Sequence, residues 1–132
     1  MDPTDNAMTV QVALEQLFEG RRLAPELLAD DAEWVNPPDA VEPGTRSGAD
    51  EFNKAIASVF STWDDVHFDT DRVIPSDDGA VVIGTLRGHL HDSGMEVSAA
   101  HGQVWTLREG RVTRMEWFNT HAAALEAAGV AE

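Results

Sequence analysis

Residues 99–107, AAHGQVWTL, and residues 111–119, RVTRMEWFN, are two alternating runs joined by the short segment Arg108–Gly110. Such runs around a glycine-containing connection are typical of a β-hairpin. Side chains alternate between the two faces of a strand, and one face here mixes large apolar groups with polar ones. That face, which has the composition of a small-molecule pocket, contains His101, Gln103, Trp105, Leu107, Met115, Trp117 and Asn119.

The connection decides how the two strands pair. A two-residue Glu109–Gly110 turn would place Arg114 beside Trp105 on the pocket face. A three-residue loop, Arg108–Gly110 with Gly110 at positive φ, leaves Arg114 on the other face. We therefore predict the three-residue loop, which pairs Gln103 with Met115 and His101 with Trp117.

The strand before this hairpin extends the same face. Residues 80–91 alternate, and Ser93–Gly94 predicts a tight turn into the strand that carries His101. The predicted register pairs Leu86 with His101 and Gly88 with Ala99. Gly84 and Gly88 then leave room on the pocket face, where we expect space for a ligand.

Helical patterns precede these strands. We predict helices at residues 8–19, 24–28 and 47–61, the last opened by a capping box at Ser47–Asp50. A strand at 32–36 ends at Pro37–Pro38, residues 39–46 form a loop, and Asp30–Asp31 form a turn. A strand at 63–75 follows, and Thr120 caps a final helix at 121–128. The order indicates an α+β fold, in which a curved antiparallel sheet and N-terminal helices form a cone with an internal pocket. Residues 1–7 are expected to be a flexible tail and residues 8–132 a single domain.

Composition excludes several functions. The chain has 132 residues, 24 acidic against nine basic, and a formal charge of −15, which disfavours nucleic acid as a partner. It contains no cysteine and no run long enough to cross a membrane, and its acidic start is unlike a signal peptide, so we expect a cytoplasmic protein. His89 and His91 share a strand face, but exposed or interface histidines are the preferred interpretation. We expect no metal and no cofactor.

Three stretches carry a resemblance to a known family. They are residues 27–37, LLADDAEWVNP, with Gly44 and Arg46–Gly48; residues 102–112, GQVWTLREGRV; and Trp117–Asn119 with residues 122–129. Together they resemble the SnoaL-like polyketide cyclase group of the nuclear transport factor two-like superfamily. The resemblance implies a cone of sheet and helices that forms a homodimer through the outer face of the sheet.

The resemblance also implies where catalytic groups would lie. Ketosteroid isomerase, a relative on this fold, uses an aspartate base, a tyrosine and a protonated aspartic acid. The corresponding positions hold Asn36 for the base and Gln103 for the protonated acid, and the chain has no tyrosine. Neither amide titrates, so ketosteroid isomerase activity is not expected. The cyclases use an acidic residue near the end of the last strand, where this chain offers Glu116, on the opposite face, and Asn119.

The candidate site therefore depends on one histidine. His101 is interpreted as an acid/base group or, alternatively, as a buried histidine bonded to Asn36 or Asn119. Other candidate ligand-binding residues are Asn36, Gln103 and Asn119 as polar contacts, and Trp34, Trp105 and Trp117 as apolar walls or plain core. Arginines such as Arg46 are expected to pair with carboxylates.

These residues predict a small-molecule pocket protein whose ligand is a small apolar organic compound. If it is an enzyme, we expect a cofactor-free isomerase, cyclase, dehydratase or hydrolase that acts on an apolar ring-containing carbonyl compound. The alternative is a non-catalytic ligand-binding or dimerisation module that has lost the catalytic acids of the family.

Overall fold

The structure, a computed structural model, describes residues 3–40 and 42–130. Its elements in chain order are α1 (Pro3–Glu15), a π-helical turn (Gln16–Gly20), β1 (Leu28–Asn36), β2 (Gly44–Ser47), α2 (Ala49–Phe60), β3 (Trp63–Pro75), β4 (Gly79–Leu90), β5 (Glu96–Arg108), β6 (Arg111–Phe118) and α3 (His121–Ala127). The strands form one sheet in the order β2-β1-β6-β5-β4-β3. The α+β fold is confirmed. Only the β1–β6 pairing within this sheet is parallel, which makes the sheet mixed.

The two faces of the sheet are covered by different helices. On the inner face, α1 and α2 pack against alternate strand residues such as Val82, Trp105 and Met115 to form the main core. On the outer face, α3 places Ala124 and Leu125 over Val81 and Ile83 in a smaller cluster. No helix in the described part of the chain is long and apolar enough to cross a membrane.

The N-terminal helix begins earlier than its sequence pattern indicated. α1 starts at Pro3, so residues 3–7 are helical where a flexible tail was expected, and residues 1 and 2 lie outside the described chain. Asn6 is 3% exposed, and its amide donates to the carbonyl oxygens of Ser76, at 3.4 Å, and Asp77, at 3.2 Å. These bonds fix the start of α1 against the β3–β4 turn, a contact that local sequence does not reveal.

The region between α1 and α2 was predicted least well. Residues 24–27 form a turn, closed by Leu27 N–H donating to the Ala24 carbonyl at 3.0 Å, and the predicted short helix is wrong. β1 already begins at Leu28 and includes the predicted Asp30–Asp31 turn, with a bulge between Leu28 and Glu33. β2 occupies the end of the predicted loop 39–46.

The capping box at the start of α2 is also wrong. The N-cap is Gly48, with φ of 102° and no side-chain cap bond. Ser47 is held in β2, where it pairs with Glu33, and Gly48 N–H donates to the Ala32 carbonyl at 2.8 Å. The backbone is committed to the sheet at this point, so Ser47 makes no capping bond. By contrast, Thr120 caps α3 as predicted, accepting from Ala123 N–H at 3.1 Å.

The central hairpin has a different turn from the predicted one but the predicted faces. Arg108 pairs with Arg111 across a two-residue turn, in which Glu109 and Gly110 have φ of 53° and 77°. A bulge then shifts the register, so that Thr106 pairs with Arg114 and Trp105 with Met115. The predicted three-residue loop is therefore wrong by one residue, and the bulge adds a second, so the pairing beyond it differs from the predicted one by two residues. Because strand faces repeat every second residue, Trp105, Met115 and Trp117 still share a face.

The β4–β5 pairing shows the same kind of error. His101 pairs with Gly84 rather than Leu86, and Ala99 pairs with Leu86. The space above the glycines is taken by β3 rather than left for a ligand. A Cβ atom at Gly84 would overlap the Asp69 carbonyl and lie 2.8 Å from Phe68 Cζ, and one at Gly88 would lie 2.9 Å from Trp63 Cε3.

Replacing Gly84 by alanine is expected to lower the free energy of unfolding by ~2 kcal/mol or more, because the added methyl group forces β3 and β4 apart. Gly20→Ala is the matched control, since its Cβ would meet nothing within 4 Å. Urea denaturation followed by tryptophan fluorescence measures both variants. Equal stability of Gly84→Ala and the wild type would contradict the close strand contact.

Candidate functional site

A cavity of about 520 Å³ lies between the inner face of the sheet, the π-helical turn and α2. Its size is within the usual range of small-molecule sites. Its wall is mostly apolar, formed by the sheet, by α2 and by the π-helical turn. A few polar side chains interrupt this wall, and all but one of the predicted site residues are in it: Trp34, Asn36, His101, Gln103, Trp117 and Asn119.

Trp105 is the predicted site residue that does not line the cavity. It is 1% exposed and packs in the main core. Its indole Nε1–H donates to Gln103 Oε1 at 2.7 Å. Trp105 therefore supports a cavity residue from beneath and does not form an apolar wall for a ligand.

Three side chains spaced two residues apart on β5 form a hydrogen-bonded chain. An indole N–H can only donate, so the Trp105 bond identifies the amide oxygen of Gln103 and fixes the orientation of that amide. The amide nitrogen, also a donor only, then lies 3.0 Å from His101 Nε2, which must accept. The imidazole of His101 is therefore neutral, with its proton on Nδ1.

The second ring nitrogen of His101 remains available. Nδ1 makes no hydrogen bond with any residue that the structure describes. Every fully buried side-chain nitrogen or oxygen in the described part of the chain has a hydrogen-bond partner, so an atom without one is not fully buried. Nδ1 must therefore be accessible, and the ring lines the cavity. The arrangement offers one N–H donor to a molecule bound there.

Burial keeps this imidazole uncharged. His101 is 7% exposed, and burial, followed by the nearby His121, lowers the pKa of its imidazole from 6.5 to about 4. The ring lies nearly parallel to Trp117, with centroids 5.9 Å apart, and edge-on to Phe68 at 5.5 Å. At neutral pH His101 is a hydrogen-bond donor. Its low pKa makes it a poor general acid.

Asn36 holds two tryptophans in place. Its Oδ1 accepts from Trp34 Nε1–H at 2.8 Å and from Trp117 Nε1–H at 2.7 Å. Its Nδ2 donates to the Glu42 carbonyl at 2.9 Å. The parallel pairing of β1 with β6 brings the two indoles together, and both ordinary acceptor positions of the Asn36 oxygen are used. Asn36 therefore positions the aromatic walls of the cavity.

Asn119 and Glu116 occupy different places at the end of β6. Asn119 is exposed at the cavity mouth, where its Nδ2 donates to Asp39 Oδ2 at 3.1 Å. Glu116 pairs with Val104 and contacts Arg114 at 3.6 Å on the other face, as predicted. Neither Asn36 nor Asn119 bonds to His101, whose partner is Gln103.

The sequence patterns missed the contribution of the π-helical turn. Phe18 on this turn stacks on Phe68 and meets Phe60 edge-on, each with centroids 5.5 Å apart, and it lines the cavity. Gln16 Oε1 fixes the end of the turn by accepting from Ala24 N–H at 2.8 Å. The extra residue of a π-turn has no local sequence signal, so only the tertiary structure reveals it.

Two charged residues of the cavity wall were also missed. Glu42 and Arg46 line its outer end, near the β1–β2 connection. Arg46 lies on β2, within a segment that was predicted to be a loop. Arg46 could be placed on the pocket face only if β2 was predicted as a strand and its pairing with Trp34 was known.

His89 and His91 lie away from the cavity. His89 Nδ1 is 2.8 Å from Asp65 Oδ1, and His91 Nδ1 is 2.6 Å from Asp64 Oδ1. The hydrogen bond to its aspartate raises the pKa of each imidazole above 6.5. No group of three or more metal-ligating side chains is found among residues 3–40 and 42–130.

Comparison with known proteins agrees with this architecture. Residues 19–115 match the family model described as SnoaL-like domain. The chain belongs to the SnoaL-like domain family. No protein of curated function matches it significantly.

Solved structures similar to this SnoaL-like chain cover nearly all of it. An NTF2-like protein of unknown function from Burkholderia pseudomallei K96243 has 25% identity and a TM-score of 0.74, with 96% of this chain and 97% of that one covered. A candidate SnoaL-like polyketide cyclase from Jannaschia sp. CCS1 has 21% identity and a TM-score of 0.74, covering 98% and 94%. TerC, co-crystallised with polyporic acid, has 22% identity and a TM-score of 0.72, covering 92% and 96%.

Proposed function

We propose that this SnoaL-like protein binds a mostly apolar, ring-containing compound with a carbonyl oxygen in its cavity. The observation that carries the proposal is the neutral His101, whose Nδ1–H is accessible in a mostly apolar wall. A carbonyl oxygen is the natural acceptor for such a donor. The ligand in TerC, a structural neighbour, supports binding of an organic compound on this fold.

The aromatic walls suit a flat ligand. The indoles of Trp34 and Trp117 are fixed by Asn36, and Phe18 faces them from the helical side of the cavity. Side chains that are already held in place lose little conformational entropy when a ring packs on them. The preorganised donor and walls therefore favour ring ketones over flexible aliphatic compounds.

Obstruction of the cavity tests the proposal. Ala99 is exposed and lines the cavity, so Ala99→Trp is expected to block ligand entry without disturbing the core. Ala57→Trp, on the exposed face of α2, is the matched control. Binding of ring ketones of one to three rings, with 2-acetonaphthone as the reference probe, is measured by calorimetry and by the increase in melting temperature.

We expect the wild type and Ala57→Trp to bind at least one ketone with equal affinity, and Ala99→Trp to lose binding at least about tenfold. If no ketone binds the wild type, or if Ala99→Trp binds as well as the control, the proposal is wrong.

A second candidate function is cofactor-free proton transfer on the bound carbonyl compound, and Glu42 favours it. Among the described residues, Glu42 is the one acidic side chain that lines the cavity. In this scheme a ketone bound with its carbonyl towards the outer end gives a proton from the carbon next to the carbonyl to the Glu42 carboxylate, while the Arg46 guanidinium at the same end stabilises the developing enolate oxygen. The proton then returns to carbon.

Deuterium exchange separates catalysis from binding. In D₂O, wild-type protein is expected to accelerate exchange of the methyl protons of 2-acetonaphthone, followed by proton NMR, and Glu42→Gln is expected to lose about tenfold or more of that rate. Binding without accelerated exchange would favour the non-catalytic alternative. The homodimer through the outer sheet face remains a prediction, which sedimentation equilibrium tests.

A further inference from the structure

We infer that Arg46 forms an anion-binding subsite at the outer end of the cavity, and that the ring compound bound there carries a carboxylate or a similarly acidic group. This inference rests on the proposed function, since it names the chemistry of the ligand for the same cavity. It adds a second polar anchor to the one that His101 supplies.

The strand pairing places Arg46 in the cavity. Arg46 on β2 lies directly opposite Trp34 on β1, and residues opposite each other in an antiparallel pair project to the same face. Trp34 faces the cavity, and both residues line it. Arg46 is half-buried, so its charge is only partly hydrated.

No described carboxylate pairs with Arg46. Four other arginines also have no ion pair among the described residues, but they are exposed to water, whereas Arg46 is half-buried: Arg21, Arg22, Arg72 and Arg111. On the sheet, Arg87 contacts Asp69 at 2.6 Å, and Arg114 contacts Glu116 at 3.6 Å. The Arg46 guanidinium has no oxygen of an acidic side chain within 4.0 Å and makes no hydrogen bond within residues 3–40 and 42–130, although Glu42 lines the same cavity.

A half-buried guanidinium without a partner is a site prepared for an anion. Its five N–H donors match the two oxygens of a carboxylate, and charge-assisted bonds of this kind are among the strongest in proteins. Partial burial costs the guanidinium some of its hydrogen bonds to water, and a bound anion would replace those bonds. The sequence predicted that Arg46 pairs with a carboxylate of the chain. We now expect Arg46 to pair with a carboxylate of the ligand.

The distance between the two anchors limits the ligand. In the order β2-β1-β6-β5, Arg46 and His101 lie three strands apart. Three strand spacings correspond to ~14 Å across the sheet. Arg46 is level with Trp105, through Trp34 and Met115, and His101 lies four residues further along β5, which adds ~13 Å along the strand. The geometry therefore suits an elongated ring compound, with the acid at one end and the carbonyl towards the other.

Two probes of nearly equal shape test the inference. 2-Naphthoate carries the acid, and 2-acetonaphthone replaces its carboxylate by a neutral acetyl group. Arg46→Met removes the charge but keeps most of the stem. Arg72→Met removes the same charge from the exposed outer face of β3 and is the matched control. Glu42→Gln removes the negative charge at the same end of the cavity.

We expect Arg46→Met to weaken 2-naphthoate binding at least about tenfold and to change 2-acetonaphthone binding less than about twofold, as measured by calorimetry near neutral pH. Arg72→Met should match the wild type for both probes, and Glu42→Gln should bind 2-naphthoate more tightly. If Arg46→Met leaves 2-naphthoate binding unchanged, or weakens both probes equally, the anion subsite is wrong while the proposed function stands. If neither probe binds the wild type, the anion subsite is wrong, and the proposed function is also wrong if the other ring ketones fail to bind.

Discussion

Replacing Gln103 by glutamate is expected to raise the pKa of His101 from about 4 to above 6.5. The introduced carboxylate keeps an oxygen for Trp105 Nε1–H, which donates to position 103 at 2.7 Å in the wild type. Its other oxygen replaces the amide N–H that now faces His101 Nε2 at 3.0 Å. An acceptor then faces an acceptor, and a proton on Nε2 relieves the conflict by forming a charge-assisted bond. Histidine side-chain NMR across a pH titration measures the change.

Gln103→Met is the matched control for this experiment. It has a similar length but neither accepts strongly from Trp105 nor offers a carboxylate to His101. Because burial is the main cause of the lowered pKa of His101, we expect the pKa of the imidazole to stay below 6.5 in this variant. A His101 titration near 4 in Gln103→Glu, with the introduced carboxyl ionised in the same titration, would show that Nε2 does not face position 103. It would remove the argument for a donor at Nδ1.

The face on which each central residue lies could be predicted because of the two-residue period of strands. The predicted turn at Arg108–Gly110 was one residue too long, but the bulge at Thr106–Leu107 adds a second residue to the shift, and the partner of His101 on β4 was misplaced by two residues. Such shifts do not exchange the faces of a sheet. The pocket face that joins His101, Gln103 and Trp117 was therefore correct although the register was not.

The partners of the polar side chains could be predicted only in part. One face of β5 carries Trp105, Gln103 and His101 as neighbours. The alternation of the strand therefore allowed their chain of hydrogen bonds to be predicted. The bond from Trp117 to Asn36 was not, because it depends on a parallel pairing between strands far apart in sequence. Arg46 was missed for a related reason: a short edge strand after a proline-rich segment has little hydrophobic pattern of its own.

Acidification is expected to destabilise the protein through His101, with a sign set by its lowered pKa. In the unfolded chain the imidazole titrates near 6.5, whereas in the folded protein burial lowers its pKa to about 4. Between these two values the unfolded state binds more protons, so the contribution of His101 to stability is complete above 6.5 and is lost as the pH falls towards 4. The difference corresponds to about 3 kcal/mol. Physically, a proton on Nε2 would meet the Gln103 amide N–H inside an apolar cavity.

His101→Gln isolates this effect from the many carboxylates. The introduced amide can still accept from Gln103 but does not titrate, and the remaining ionisable groups are the same in both proteins. Urea denaturation should show that, between about pH 7.5 and pH 4.5, the wild type loses roughly 2–3 kcal/mol more free energy of unfolding than the variant. His89 and His91 act in the opposite direction, since their pKa values are raised and their contribution is lost as the pH rises, but they cancel in the comparison. Parallel pH profiles for the two proteins would mean that His101 titrates alike in the folded and unfolded states. The neutral donor in the cavity, on which the proposed ligand chemistry depends, would then have no basis.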